Sequence, residues 1–232
     1  MSDTVSVVVP TLRDADDLPV AAALDRCSFD DYELLVCDDE PVTRARNEGA
    51  RRAASEKIVY LDDDSRPRDG YLAGADRLLA DHDAFAGQLT NHYDFGERPR
   101  TVRRFWGCNM GLRREVLAAA GWWDERMGWG HEEKELADRV VRDHEIRYDP
   151  DIVVDHEYAA SLPDYWRKRY RLEQATPYYL RKRGATTADV LRRVVVDLCS
   201  PTSYLGQTPS LTLARTGGTL AGTAGRLVGL FD

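Results

Sequence analysis

Residues 57–67 read KIVYLDDDSRP. Ile58–Leu61 is a short apolar run of the kind that forms a strand buried on both faces, and it stops on three consecutive carboxylates, Asp62, Asp63 and Asp64. The same grammar occurs twice upstream. Val5–Val9 is a continuous apolar, β-branched run closed by Pro10, and Tyr32–Cys37 (YELLVC) is another that ends in Asp38, Asp39 and Glu40. Between these runs, Asp16–Cys27 has helical spacing at Leu18, Ala22 and Leu24, and Thr43–Ser55 is a helical stretch rich in Arg and Ala. Strand–helix–strand–helix–strand implies right-handed crossovers and predicts an α/β fold with a mostly parallel sheet.

Ligands of an open parallel sheet sit beyond the carboxyl ends of its strands. A dehydrogenase or a phosphate-loop enzyme carries glycines there, but no GxGxxG follows the first strand and no GxxxxGK[ST] occurs anywhere. Carboxylates at that edge suit a metal, or the hydroxyls and imide of a nucleoside. They suit a bare phosphate only with a cation between. In an extended segment alternate residues share a side, so Asp62 and Asp64 converge on one object. Clustered carboxylates repel one another without a cation, and hard oxygen donors favour Mg²⁺ or Mn²⁺ with a diphosphate completing the shell. An acidic turn on a solvated surface is the other reading of the same three residues.

Farther along, residues 84–112 hold short β-like pieces and turn residues. Glu132–Asp143 reads as a helix with Leu136, Ala137, Val140 and Val141 on one side, and Ile152–Val154 as a short strand before Asp155 and His156. After residue 160 the chain turns helical, Arg-rich and aromatic, then closes in a Gly- and Thr-punctuated segment ending in Leu230 and Phe231.

Six stretches in this order resemble the inverting family-2 glycosyltransferases of the GT-A fold: VSVVVPTL at 5–12, YELLVCDDE at 32–40, ARNEGARRA at 45–53, KIVYLDDDSRP at 57–67, GCNMGLRREVLAAAGWWDERM at 107–127 and GWGHEEKEL at 128–136. The resemblance implies a GT-A catalytic domain over residues 1–160, with a Rossmann-like, mostly parallel central sheet flanked by helices. A helical C-terminal extension over 161–232 follows. It implies a metal-dependent hexosyltransferase that moves a sugar from a nucleoside-diphosphate donor, UDP by family habit with guanine and thymine open, onto an acceptor hydroxyl in surface-glycan, N-glycan or glycolipid assembly.

Roles follow position by position from that resemblance. Pro10 and Thr11 lie under the nucleoside, Asp39 contacts the base, and Arg46 sits near the diphosphate or braces the base pocket. Asp62 and Asp64 match the DxD motif, with Asp62 towards the ribose and Asp64 on the metal. Gly107 and Asn109 floor the sugar pocket, and His156 matches a position where some members supply a further metal ligand. Family members usually carry Glu-Asp where this chain has Glu132-Glu133, so Glu133 takes the place of the base with one extra methylene. Both glutamates fall in the first turn of a helix, whose N-terminus favours the ionised form. Trp122, Trp123 and Trp129 surround this segment as an acceptor wall or as core.

Bulk composition narrows the alternatives. The chain has 232 residues and a formal net charge of −8, which disfavours non-specific nucleic-acid binding. Lys57, Lys134, Lys168 and Lys182 are its lysines; few Lys and many Asp fit a halophilic cytosol, as of a halophilic archaeon, or a GC-rich genome. Cys27, Cys37, Cys108 and Cys199 form no CxxC pair and read as free thiols of a reducing compartment. No signal peptide and no run of about 18 apolar residues is seen, so a cytoplasmic location is expected. Two segments, 165–183 with interleaved Arg, Lys, Tyr and Trp, and 211–231 with scattered Leu, fit a peripheral contact with an anionic membrane or a lipid-linked acceptor. The rivals are a nucleotidyltransferase, which needs a Gly-rich, Lys-containing loop that PTLRDADDLP lacks, and a non-catalytic nucleotide-sugar binder.

Overall fold

A computed structural model describes residues 4–14, 18–90 and 95–232. It divides into two compact units, Met1–Arg126 with Glu132–Glu157, and Met127–His131 with Tyr158–Asp232.

The first unit is built on an eight-stranded mixed sheet. Its strands are β1 (Val5–Pro10), β2 (Tyr32–Cys37), β3 (Lys57–Tyr60), β4 (Arg66–Pro67), β5 (Ala84–Leu89), β6 (Arg100–Val102), β7 (Met110–Arg113) and β8 (Ile146–Asp155). The order is β2-β1-β3-β7-β5-β8-β4, with β6 also pairing β8. Strand β1 is flanked on both edges and covered on both faces, so Val5, Val7, Val8 and Val9 are all fully buried; this is why its apolar run has no polar alternation.

The pairings fix the strand directions. β1 is parallel to β2 and β3. β7 is antiparallel to both β3 and β5, so β5 runs with β3, and β8 is parallel to β5. Five strands therefore point one way. Their carboxyl ends deliver Thr11, Asp38–Asp39, Asp62–Asp64 and Asp155–His156 to one edge of the sheet. β7 enters from that same edge, which brings Gly107, Cys108 and Asn109 there too.

The helices of this unit are α1 (Pro19–Leu24), α2 (Val42–Arg52), α3 (Tyr71–Asp81), α4 (Arg114–Ala119) and α5 (Glu132–Val140). Helix α2 packs on β1 so closely that a Cβ on Gly49 would come 2.3 Å from Val8 Cγ1. Several sequence boundaries shift. The helix expected from Asp16 spans only Pro19–Leu24 among the described residues, with Asp16 and Asp17 outside them. The helix expected to run to Asp143 ends at Val140. The strand expected at Ile152–Val154 extends back to Ile146, because Ile146–Asp149 pairs with β5 and its first three residues also pair with β6.

The second unit is helical: α6 (Leu162–Lys182), α7 (Thr187–Cys199), a 3-10 turn at Pro201–Ser203 and α8 (Pro209–Val228). Ser161 caps α6 by accepting from the Asp164 backbone N–H, and Thr186 with Asp189 forms a reciprocal capping box on α7. The Gly- and Thr-rich tail is a regular helix whose glycines press on α6. A Cβ on Gly225 would lie 2.1 Å from the Tyr170 carbonyl oxygen. Tyr165 and Trp166, two of the aromatics that the sequence pattern suggested for a membrane interface, lie against these glycines of α8. No described helix is long and apolar enough to cross a membrane.

Candidate active site

The loop after β3 separates its three aspartates. Asp63 turns back to the first strand, where its Oδ2 accepts from Thr11 Oγ1 at 2.6 Å and lies 3.4 Å from Arg13 Nε. Asp62 and Asp64 turn together to the imidazole beyond β8. His156 Nε2 is 3.4 Å from Asp64 Oδ1 and 3.9 Å from Asp62 Oδ2. A turn rather than an extended segment makes this division: the Ser65 N–H donates to the Asp62 carbonyl at 3.1 Å, and the structure brings Asp62, Asp64 and His156 together.

Two carboxylates and an imidazole form a donor set that fits a divalent cation such as Mn²⁺, which accepts both nitrogen and hard oxygen. Burial pushes the Asp62 carboxyl up, and nearby Asp64 and Glu132 push the same way, against Arg46 and His156. A cation relieves that repulsion. Cys108, which sequence reasoning passed over, also belongs to this cluster: its Sγ and ligand atoms of Asp62 and His156 all lie within 4.8 Å of one another. Burial, then the charges of Asp62 and Asp64, hold that thiol far above its usual range, so it stays neutral and is no thiolate ligand unaided.

Arg46 joins the aspartate cluster to the α5 glutamates. It rises from α2 into the interior, with Nη1 donating to Glu132 Oε1 at 3.0 Å and Nη2 to Asp62 Oδ1 at 3.4 Å. Its guanidinium carbon lies 4.7 Å from the centre of a Trp123 ring. Trp123 in turn meets Tyr60 edge-on at 5.2 Å. Trp123 is thus core and a platform for Arg46, not an acceptor wall. Asn47, one residue on, locks this platform: its Nδ2 donates to the Trp123 carbonyl and its Oδ1 accepts from the Trp123 N–H, each at 3.0 Å.

The two glutamates differ sharply. Glu132 is buried in an ion pair with Arg46. Burial pushes the Glu133 carboxyl up to about 7, the negative charge of Glu132 adds to the rise, and Lys134, a hydrogen bond and Arg46 oppose it. A carboxylate that titrates near neutrality at a helix N-terminus is suited to proton transfer.

The remaining candidates fall nearby with different surroundings. Pro10 ends β1 opposite Cys37, and the Thr11 N–H donates to the Cys37 carbonyl at 2.9 Å. Asp39 is half-buried just beyond the end of β2. Asn109 is fully buried: it accepts from the Tyr71 hydroxyl and donates to the carbonyls of Gln88 and Ile152, so its amide ties β5 and β8 together under the site. Gly107 abuts Arg46, where a Cβ would come 3.1 Å from Nη2. Trp122 is half-buried beneath Arg51.

No protein-family model matches this chain, and no curated protein matches it in sequence. Among solved structures, the crystal structure of S. aureus TarS superposes with a TM-score of 0.53 at 13% identity. The alignment covers 97% of this chain and 55% of that one, so the chain spans about half the length of TarS. At that identity the likeness speaks for the fold, and the chain has a GT-A-like α/β architecture.

Proposed function

We propose that the chain is an inverting, metal-dependent glycosyltransferase that moves a sugar from a nucleoside-diphosphate donor, UDP-linked by preference, to an acceptor hydroxyl. The observation that carries this reading is the joint placement, at one sheet edge, of the Asp62–Asp64–His156 donor set and the α5 N-terminus with Glu133 poised near neutrality. Asp62, Asp64 and His156 would hold Mn²⁺ or Mg²⁺. When bound, that cation offsets the charge that develops on the departing diphosphate.

The protein's own groups supply the rest. Glu133 takes the acceptor proton as the acceptor oxygen bonds to the anomeric carbon, while the bond from that carbon to the diphosphate oxygen breaks on the opposite face. One displacement inverts the configuration and leaves no covalent intermediate. Arg46 fixes the buried negative charge of Glu132 and aligns α5 beside Asp62. Thr11 and Asp39, just beyond β1 and β2, would meet the nucleoside. The enzyme acts at the cytoplasmic face of a membrane, where the basic helical unit meets anionic lipid or a lipid-linked acceptor.

The direct test incubates the protein with a panel of nucleotide sugars and Mn²⁺ and measures nucleoside-diphosphate release. Release that requires the cation supports the reading. A protein that binds the donors without turnover is a binding module, and release of pyrophosphate from a nucleoside triphosphate identifies a nucleotidyltransferase. Full activity in EDTA rules out the metal.

A further inference from the structure

Residues 127–131, which include the GWGH segment, belong to the helical unit. The peptide bond after His131 nevertheless leads straight into Glu132, the first residue of α5. Three consecutive residues of this loop are fixed against α6. The Arg171 guanidinium carbon lies 5.3 Å from the centre of a Trp129 ring. A Cβ on Gly130 would come 3.1 Å from Leu172 Cα, so the loop backbone lies directly on the helix. His131 Nε2 is 2.8 Å from Thr176 Oγ1, and its ring stacks on Tyr179 with centroids 5.1 Å apart.

Proton accounting orients this contact. Thr176 Oγ1 lies 2.9 Å from Glu173 Oε2. Burial raises the Glu173 carboxyl, but the Arg226 guanidinium and its neighbours outweigh burial and hold it below its ordinary value, so it is ionised and only accepts. The threonine hydroxyl therefore gives its single proton to Glu173 and accepts from His131 Nε2–H. Arg226 bonds Glu173 with Nε at 3.0 Å and Nη2 at 2.6 Å, and reaches Asp197 with Nη1 at 2.8 Å. A chain of side chains thus runs Asp197–Arg226–Glu173–Thr176–His131.

The backbone at the end of this chain is unusual. His131 has φ 63° and Gly130 φ 110°. A residue with a side chain held at positive φ costs free energy and persists where its surroundings over-determine it. We propose that His131 is a positioning residue. Anchored by the Thr176–Glu173–Arg226 chain, it sets the backbone that presents Glu132 and Glu133 at the start of α5. This rests on the reading of Glu133 as the base.

The test compares Thr176→Val, which keeps the shape and removes the hydroxyl, with Thr176→Ser, which retains it. A third variant, His131→Asn, tolerates left-handed backbone but is too short to reach Thr176. The readouts are kcat, donor KM and amide hydrogen exchange over residues 127–134. Thr176→Val and His131→Asn should each lower kcat by roughly tenfold to 10²-fold, as for a misplaced catalytic group. Donor KM should be unchanged and exchange over 127–134 faster, whereas Thr176→Ser should keep kcat and exchange near those of the native chain. If Thr176→Val does not fold, His131→Asn with Thr176→Ser decides. Native kcat and native exchange in Thr176→Val and His131→Asn overturn the proposal. If the native chain transfers no sugar at all, the glycosyltransferase reading fails, and exchange alone still decides the anchoring: unchanged protection overturns it.

Discussion

Arg46 Nη1 donates to Glu132 Oε1 across 3.0 Å, and both side chains are buried. That contact divides the labour of two adjacent glutamates. The charge of Glu132 is committed to Arg46, and the same charge, left beside Glu133, helps to hold Glu133 near neutrality. Arg46→Met strands Glu132 in the interior and takes this partner from the half-buried Asp62. The expected loss is about 3–5 kcal/mol of stability, the usual result of removing one partner of a buried ion pair. Adding Glu132→Leu should recover at least half of that loss, since a buried pair replaced by apolar groups is often near neutral. Urea unfolding of the single and double variants measures both. A loss under about 1 kcal/mol for Arg46→Met contradicts the assigned role of the pair.

Glu133 should govern the pH dependence of turnover. Its folded value of about 7 lies above the ordinary 4.5, so the anionic form needed by a base is gained as pH rises through about 7. kcat at saturating donor should therefore climb with a midpoint near that value. Glu132→Gln removes the neighbouring charge and should move the midpoint down. Glu133→Gln should lower kcat by roughly 10²–10⁴-fold and flatten the limb. Stability carries the opposite sign. The folded state holds this proton more tightly than the unfolded chain, so the Glu133 contribution falls as pH rises from 4.5 to about 7. Glu133→Gln lacks that decline, and its melting temperature relative to the native chain should be higher above pH 7 than below pH 4.5. A large kcat loss in Glu132→Gln with near-normal Glu133→Gln places the base one residue earlier.

These roles were unevenly legible in the sequence. β1, β2 and β3 could be read because a strand buried on both faces shows an unbroken apolar run, and the acidic endings marked the working edge. β7 could be read only as one of the short β-like pieces of 84–112: it is four residues, MGLR, and its Gly111 is there because a Cβ would meet Phe85 Cε1. Helices α3 and α4 went unforeseen, and α4 is only six residues long. Arg46 was placed near the site by its motif. Its burial against Trp123 and Glu132 depends on contacts 77 and 86 positions away, which no local spacing records. The left-handed backbone at His131 has no residue signature either, since histidine stands where glycine would have announced it.

Asp63 and Asp64 should separate cleanly by substitution. Asp64→Ala removes a group 3.4 Å from His156 Nε2 and should abolish Mn²⁺ binding and with it turnover. His156→Ala should weaken Mn²⁺ binding at least ~tenfold, an order-of-magnitude expectation for loss of one donor. Asp63→Ala should leave Mn²⁺ affinity unchanged. Its cost is the hydrogen bond from Thr11, about 1 kcal/mol of stability. Titration of Mn²⁺ by electron paramagnetic resonance, in the absence of donor, reads the three directly. Mn²⁺ binding that depends on Asp63 and ignores Asp64 would overturn the division.

The helical unit carries the charge that the rest of the chain lacks. Residues 161–232 hold eleven Arg and Lys against five Asp and Glu, a net +6 within a chain of net −8. On α7, the exposed Arg192 and Arg193 stand beside exposed Leu191, Val195 and Val196, and Leu205 and Phe231 are also exposed. Basic side chains beside solvent-facing apolar ones suit the surface of an anionic bilayer, where each cation contributes about 1 kcal/mol and the apolar groups enter the headgroup boundary. The full chain should sediment with phosphatidylserine-rich vesicles, less so as salt rises. Lys182→Glu, Arg192→Glu and Arg193→Glu together should weaken that binding by at least ~10²-fold, because three favourable charges become repulsive. Because none of the three contributes to the aspartate cluster or to α5, donor hydrolysis in solution should be unchanged. Equal, negligible sedimentation of the native and substituted chains would exclude the membrane as the place where the proposed transferase meets its acceptor.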